Sequence, residues 1–144
     1  MSLAIVPASG ELLAHWRAVH NAVIPPVQLT AVEVAESAAR NDLTVAYSDG
    51  VLVGNATVRA PRDGVVIVIV RILSEHRRHG LGGEYLQAVL EQARTSPAEQ
   101  ISTVVFAGNV DGLAFATRHG FVETERYGVD GVAFVDLTLR NDVA

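Results

Sequence analysis

Cysteine is absent from the sequence, which excludes disulfide bonds, a thiol nucleophile and zinc sites built on thiolates. Lysine is absent as well, because all eleven basic residues are arginine. A Walker A phosphate loop and a Schiff-base mechanism both require lysine. Neither is therefore available to this chain.

Long hydrophobic runs and excess positive charge are also missing. The longest apolar run, Val65 to Val70, ends at Arg71 and is far shorter than the ~20 residues of a membrane-spanning helix. The first ten residues lack the basic region and apolar stretch of a secretory signal. A net charge of -5 gives no broad attraction for nucleic acid or an anionic membrane. We therefore expect a cytoplasmic protein that binds neither nucleic acid nor membrane.

The length and the apolar content suit a single domain spanning residues 1–144. A chain of 144 residues, 49% of them hydrophobic, can bury about two thirds of its unfolded surface and needs no disulfide bond or structural metal ion for stability.

Turn and cap signals divide the chain into short elements. A strand is predicted at 3–7, and helices are predicted to begin near Glu11, at Thr30 with the capping-box spacing to Glu33, at Leu81 and near residue 111. Three Asp-Gly pairs, at residues 49–50, 63–64 and 130–131, predict tight turns between strands.

The middle of the chain predicts a strand, helix, strand unit. "VVIVIVRIL" and "ISTVVFAGN" have the uniform apolar character of buried strands, and the helix over Leu81 to Arg94 separates them. Such a unit pairs its two strands in parallel with a right-handed crossover.

The charged turn "SEHRRHGLGG" joins the first of these strands to the helix. Unpaired amides in the first turn of a helix carry a positive partial charge and bind anions. Arg77, Arg78 and His79 add charge, while Gly80, Gly82 and Gly83 remove side chains that would keep a phosphate away from the amides. The turn therefore predicts a site for a ligand with more than one phosphate.

Three other interpretations compete for the same turn. Basic residues on a surface turn are often only solvated, and the glycines would then serve the turn alone. A dinucleotide fingerprint requires glycine at the position of Tyr85, so that interpretation is weak. His76 and His79 lack a converging third ligand, so no metal is expected.

Two spaced motifs resemble those of the GNAT acyltransferases. "RILSEHRRHGLG" is similar to the acetyl-CoA motif of that family, with Arg77, Gly80 and Gly82 at its core positions, although Ser74 stands where proline is usual. "NVDGLAFATRHGF" resembles the second motif through Asn109, Gly120 and Phe121.

The resemblance implies an α+β fold with a mixed, mostly antiparallel sheet of six or seven strands, about four flanking helices, and two parallel central strands that splay apart. It implies acetyl-CoA as cosubstrate and no metal. The main chain of Val70, Arg71 and Ile72 would bind the pantetheine arm. The pyrophosphate would lie on the turn residues, which are Arg77, Arg78, His79, Gly80, Leu81, Gly82 and Gly83.

The implied reaction is direct transfer of an acetyl group to a primary amine, with a small molecule as the expected acceptor. Asn109 is a candidate to bind the arm or an ordered water, or merely to cap the next helix. Tyr127 is a candidate acid, because Ala116 occupies the position at which the family commonly has tyrosine. The alternatives are a silent acyl-CoA-binding domain and a protein or peptide N-acetyltransferase. A homodimer is also expected by analogy.

Overall fold

The computed structural model describes residues 3–140, so the ends of the predicted domain, residues 1–2 and 141–144, lie outside the described residues. The strands are β1 Leu3–Pro7, β2 Asp42–Ser48, β3 Val51–Val58, β4 Val65–Ile72, β5 Gln100–Phe106, β6 Phe121–Val129 and β7 Val132–Leu139. The helices are α1 Leu12–Val23, α2 Ala31–Arg40, α3 Leu81–Arg94 and α4 Val110–Arg118, with a 3-10 turn at Ser74–His76.

All seven strands form one sheet in the order β1-β2-β3-β4-β5-β7-β6. Every neighbouring pair is antiparallel except β4 and β5, which run in parallel. The two parallel strands pair only from Val65 opposite Gln100 to Ile67 opposite Ser102, although they continue to Ile72 and Phe106. The predicted fold is confirmed, including the V-shaped splay at the centre of the sheet.

Local sequence signals explain several element boundaries. The Thr30 hydroxyl accepts the Glu33 amide at 3.2 Å while the Glu33 carboxylate accepts the Thr30 amide at 2.9 Å, so the predicted capping box starts α2. Each Asp-Gly pair places both residues at positive φ, as in Asp49 (51°) followed by Gly50 (79°). Asparagine, aspartate and glycine tolerate that region, which is why these pairs turn the hairpins tightly.

Two hydrophobic clusters lie on opposite faces of the sheet. Helix α3 and Ala116 of α4 pack on one face against β4 and β7, with Tyr85 and Val66 fully buried. Helices α1 and α2 pack on the other face, where Trp16 and Val34 lie against β2. The sheet is therefore covered on both sides at β4.

The expectation of a fully buried strand over residues 101–109 was wrong in two respects. The strand ends at Phe106, because the Asn109 amide donates to the Phe106 carbonyl in a turn. Of its residues, only Thr103 falls in the buried class. The physical reason is the splay, which leaves the upper part of β5 beside a cleft and not beside a neighbouring strand.

Candidate active site

Main-chain polar groups are left without strand partners where β4 and β5 separate. The amides of Arg59 and Leu73 donate to Ile67 and Val53, so the odd-numbered residues of β4 point their main-chain groups at β3. Val70 and Ile72 consequently face the splay. The same alternation, fixed by the bond from Ala107 to Ala133, turns Val104 of β5 toward the gap. An extended chain could bind here as a substitute strand.

The position of Arg71 differs from that of its two neighbours. Arg71 pairs with Asn55 of β3, and its main chain points to that strand by the alternation given above. Only its side chain is available to a ligand. Val70 and Ile72 are therefore the two predicted β4 residues whose main chain the structure brings to the gap.

The turn before α3 holds six consecutive amides, from Arg78 to Gly83, that make no hydrogen bond to a described residue. Arg78 and Gly80 have positive φ, at 67° and 77°. Left-handed residues at these two positions curve the main chain, so that successive N–H groups point into one concave site. The amides also lie at the positive end of the 14-residue helix α3. This arrangement fits a diphosphate.

Arg77 connects three elements around this turn. Its Nε donates to the Ile72 carbonyl at 2.9 Å, and its Nη1 lies 3.3 Å from the Asp111 carboxylate at the start of α4. The Ile72 carbonyl is therefore already bonded, and its amide is the group free to receive a ligand. Arg77 thus holds the turn against β4 and α4 through Nε and Nη1, and its Nη2 can still bind an anion.

Glycine is required at two positions of this turn for different physical reasons. Gly80 needs its positive φ, and a Cβ there would meet nothing within 4 Å. A Cβ on Gly82 would lie 3.0 Å from the Phe115 ring, and one on Gly83 would lie 3.5 Å from His119. Gly82 therefore lets α3 approach α4, a role that the sequence analysis did not assign to it, whereas a Cβ on Gly83 would make only an ordinary van der Waals contact.

A cavity of about 470 Å³ runs from the splay across the turn to α4. The sequence analysis missed its α4 wall, which is formed by Asp111, Phe115, Arg118 and His119. The rings of Phe115 and His119 are 4.4 Å apart, and the guanidinium of Arg118 lies 5.9 Å from the Phe115 ring. Residues 111, 115 and 118 share one face of a helix by their spacing, and this signal could have identified the wall.

Asn109 caps α4 and also keeps a side-chain donor that a ligand or an ordered water could use. Its Oδ1 accepts the Gly112 amide at 3.0 Å and so caps α4. The side-chain amide Nδ2 makes no hydrogen bond to a described residue, and Asn109 lines the large cavity. Capping is thus present, and one donor remains for a ligand. Gly120, at φ 94°, and the buried Phe121 end α4 and start β6, so this half of the second motif has a structural role.

Tyr127 lies on β6, which is the edge strand and is separated from the splay by β7. Its hydroxyl donates to the Asp136 carboxylate at 2.9 Å. Burial and then this hydrogen bond raise the pKa of Tyr127 to about 12. Tyr127 lines neither of the two cavities described here, so the structure does not bring it together with Asn109 and the turn.

A second, narrower cavity of about 60 Å³ lies inside the splay. Its apolar walls include Val23 and Ile24 at the end of α1, and Val104 and Phe106 of β5. Arg71 lines both cavities. Its guanidinium lies 5.4 Å from the centre of the Trp16 ring, and its Nη1 donates to Asn55 Oδ1 at 3.1 Å. The Asn55 amide in turn donates to the Trp16 carbonyl at 2.8 Å.

His20 completes this group of residues. Its ring stacks on Trp16 at 5.5 Å, and its Nε2 lies 3.1 Å from the Val27 carbonyl, so Nε2 carries the proton. Burial, aided by the charge of Arg71, lowers the pKa of His20 to about 4. Burial also lowers the pKa of Arg71 to about 10. Near neutral pH, His20 is therefore neutral and Arg71 remains cationic.

Within residues 3–140, no helix is long and apolar enough to cross a membrane. The same residues contain no group of three histidine or acidic side chains arranged to hold a metal ion. The only carboxylate on the walls of the two cavities is Asp111, and it is paired with Arg77. Neither cavity wall thus offers an unpaired carboxylate.

Solved structures share this arrangement over nearly the whole chain. A proposed phosphinothricin N-acetyltransferase superposes with a TM-score of 0.80 at 21% identity, covering 96% of this chain and 98% of that one. The proposed acetyltransferase yncA from Salmonella typhimurium, determined with its cofactor acetyl-CoA, gives 0.76 at 19% identity, covering 100% and 96%. The ribosomal-protein-S18-alanine N-acetyltransferase from Escherichia coli gives 0.77 at 14% identity, covering 99% and 96%.

These likenesses establish the fold. No curated protein sequence matches the chain significantly. The profile of the Acetyltransferase (GNAT) family, however, matches residues 11–121, a stretch that contains both cavities' β4, α3 and β5 walls and the turn between β4 and α3. The chain therefore belongs to the GNAT acetyltransferase family.

Proposed function

We propose that the protein transfers an acetyl group from acetyl-CoA to the primary amine of a small molecule. The observation that carries the proposal is the continuity of two unpaired main-chain surfaces. Val70 and Ile72 face the splay, and the six free amides of residues 78–83 follow after one short turn over residues 73–77. A pantetheine arm joined to a diphosphate requires such a sequence of acceptor and donor groups.

The residues present fit this cosubstrate in charge as well as in shape. Arg77 and Arg78 flank the free amides, and the cavity that joins the turn to the splay has a volume of about 470 Å³. When bound, acetyl-CoA supplies the activated acetyl thioester. The chain's own contribution is to fix the diphosphate on the turn and to align the arm along Val70 and Ile72.

The reaction then depends mainly on position. The acceptor ammonium first loses one proton to water. The neutral amine nitrogen then forms a bond to the acetyl carbonyl carbon, the carbon–sulfur bond breaks, and a second proton leaves the nitrogen and ends on the CoA sulfur. A β4 amide facing the gap, such as that of Val70, donates to the carbonyl oxygen as negative charge develops there. Removing one such donor costs roughly 3 kcal/mol in related chemistry.

Proton transfer does not require a side chain in this proposal. Asp111, the carboxylate on the cavity walls, is paired, and Ala116 is buried where the family commonly has tyrosine. Deprotonation therefore runs through water, or the acceptor arrives already neutral. Asn109 is proposed to bind the arm or an ordered water through Nδ2, and Tyr127 as the acid stays a prediction.

The test uses the absence of cysteine. A thiol reagent added to the protein reports only released CoA, because the chain itself contributes no thiol. We expect CoA release from acetyl-CoA to rise above the hydrolysis rate with at least one member of a panel of small primary amines. CoA alone should raise the melting temperature, and an unchanged melting temperature at millimolar CoA would contradict the proposal.

A silent acyl-CoA-binding domain is the second candidate, favoured by Ala116 and by the lack of an unpaired carboxylate. It predicts stabilisation by CoA with no amine-dependent release. Acetylation of a protein or peptide is the third, and it predicts acetylated peptides by mass spectrometry after incubation with acetyl-CoA. One domain over residues 1–144, a cytoplasmic location and a homodimer belong to the same proposal, with the dimer testable by sedimentation.

A further inference from the structure

Arg71 is a buried cation with no anionic partner. It is 8% exposed, and among residues 3–140 no carboxylate forms an ion pair with it. Among charged groups, a second cation, Arg59, acts on it most strongly and lowers its pKa further. A buried charge is normally paired, because taking it out of water costs several kcal/mol. The fold itself leaves this requirement unmet.

One edge of the guanidinium makes a hydrogen bond, and the opposite edge is buried without a partner. Nη1 donates to Asn55, and the guanidinium carbon lies 5.4 Å from the centre of the Trp16 ring. Nε is out of contact with water and has no hydrogen-bond partner, and Nη2 bonds to no described residue. The Nε and Nη2 hydrogens point the same way, and together they match the two oxygens of a carboxylate.

The neighbouring side chains hold the guanidinium in place. Asn55 itself donates to the Trp16 carbonyl at 2.8 Å, and this second hydrogen bond restricts rotation of the Arg71 guanidinium that Asn55 binds. His20 stacks on the Trp16 ring and presents an unprotonated, unpartnered Nδ1. Within residues 3–140, no acidic side chain is paired with the arginine.

The same residue lines the narrow cavity at the splay, beside Val70 and opposite Val104. Coenzyme phosphates have their own site on the free amides of residues 78–83, so the anion for Arg71 is expected to come with the acceptor. The walls of the narrow cavity are apolar, with Val23, Ile24 and Phe106 among them.

We propose that Arg71 binds the carboxylate of the amine acceptor, which is an α-amino acid with an apolar side chain. This inference rests on the proposed function and names its substrate class. Held by Nε and Nη2, the carboxylate would place the α-amino group one carbon away, within the splay where the acetyl group is aligned. The apolar side chain would then lie against the α1 and β5 walls.

Trp16 makes the inference testable without activity. It is the only tryptophan and contacts Arg71 directly, so its fluorescence reports ligands on that guanidinium. The probes are N-acetyl-L-leucine and N-acetyl-L-leucinamide, added to the full chain with and without saturating CoA. We expect the acid to change the fluorescence with at least tenfold higher affinity than the uncharged amide, an amount consistent with one charge-assisted hydrogen-bond pair.

The variant Arg71→Met removes the charge at similar length, and Arg126→Met is its matched control on the surface of β6. Arg71→Met should bind acid and amide within twofold of each other, while Arg126→Met should keep the tenfold preference. Circular dichroism shows whether the variants fold. If Arg71→Met does not fold, the ratio of the natural chain's affinities for the acid and the amide still tests the inference. Equal binding of acid and amide to the natural chain would overturn the inference. So would loss of CoA binding in a folded Arg71→Met, because Arg71 would then serve the coenzyme.

Thiol release with L-leucine, L-leucinamide and isoamylamine separates the two proposals. Release with all three amines at similar kcat/KM would support the acetyltransferase and overturn the carboxylate inference. An acid preference in fluorescence with no amine-dependent release would support Arg71 as an anion site and remove the proposed reaction. A kcat/KM at least tenfold higher for L-leucine, abolished in Arg71→Met, supports both.

Discussion

The turn between β4 and α3 and the group of residues around Arg71 both adjoin the splay, yet they are built differently. The turn is continuous in sequence: residues 77–83 supply its amides, its glycines and its arginines. The Arg71 group comes from α1, β3 and β4, with Trp16, His20, Asn55 and Arg71 far apart in the chain. One binds through the main chain, and the other through side chains that only the fold brings together.

The largest expected effect comes from the turn, by the change Gly82→Glu. The new side chain would begin 3.0 Å from the Phe115 ring and add a negative charge beside the amides that would hold the diphosphate. We expect CoA affinity to fall about 100-fold, a loss of about 2.7 kcal/mol. The increase in melting temperature with CoA measures it.

Gly128→Glu is the matched control for that change. Gly128 lies on the edge strand β6, where an added Cβ would meet nothing nearer than 3.8 Å. It should leave stabilisation by CoA intact. Full stabilisation by CoA in a folded Gly82→Glu protein would show that the diphosphate does not lie on this turn.

The Arg71 group predicts a dependence of stability on pH. The pKa of His20 is lowered to about 4 in the folded chain, against an ordinary value of about 6.5. Between these values the unfolded chain binds a proton that the folded chain does not, so the free energy of unfolding falls as pH decreases from 6.5 to 4. We expect this single group to remove about 2 kcal/mol between pH 7 and pH 4.5.

Urea unfolding of the natural chain and of His20→Phe at several pH values measures that contribution. The phenylalanine ring can still stack on Trp16 but has no titrating nitrogen. The free energy of unfolding should fall more steeply with decreasing pH in the natural chain than in His20→Phe, and this difference should be confined to the interval from pH 6.5 to pH 4. Parallel curves over this interval would mean that His20 takes up a proton in the folded state as easily as in the unfolded one.

A third change, Arg77→Gln, examines how far the turn depends on the contacts of Arg77 with β4 and α4. The variant loses the charge facing Asp111 while an amide can still donate to the Ile72 carbonyl. We expect CoA to bind about tenfold more weakly, as for the loss of one charge-assisted contact. Isothermal calorimetry with CoA gives the value.

Arg126→Gln provides the comparison for Arg77→Gln. Arg126 is paired with Glu123 on the exposed surface of β6, and an exposed pair contributes little. CoA affinity should not change in that variant. Equal effects of the two substitutions would indicate that net charge alone governs binding, without a specific site for the phosphates.

The contrast between the two regions also explains what could be predicted from the sequence. The turn is recognisable because residues 77–83 carry its charge and its glycines in one stretch, and the splay follows from the family resemblance. The α4 wall with Phe115 and His119 was missed. The spacing of residues 111, 115 and 118 places them on one helix face, but the sequence does not show that α4 packs so close to α3 that a Cβ on Gly82 would lie 3.0 Å from the Phe115 ring. The unpartnered edge of the Arg71 guanidinium depends on Asn55 and Trp16, which only the folded sheet places beside it.

The smallest expected effect belongs to Tyr127, the candidate acid. Its hydroxyl hydrogen is already donated to Asp136, and a pKa of about 12 makes it a weak proton donor to a thiolate. We expect Tyr127→Phe to change kcat/KM by less than about threefold and to lower stability by about 1 kcal/mol for the lost hydrogen bond. Thiol release and urea unfolding measure the two quantities. If turnover instead fell by roughly two orders of magnitude while CoA still bound normally, Tyr127 would be the acid, and the edge of the sheet would take part in the reaction.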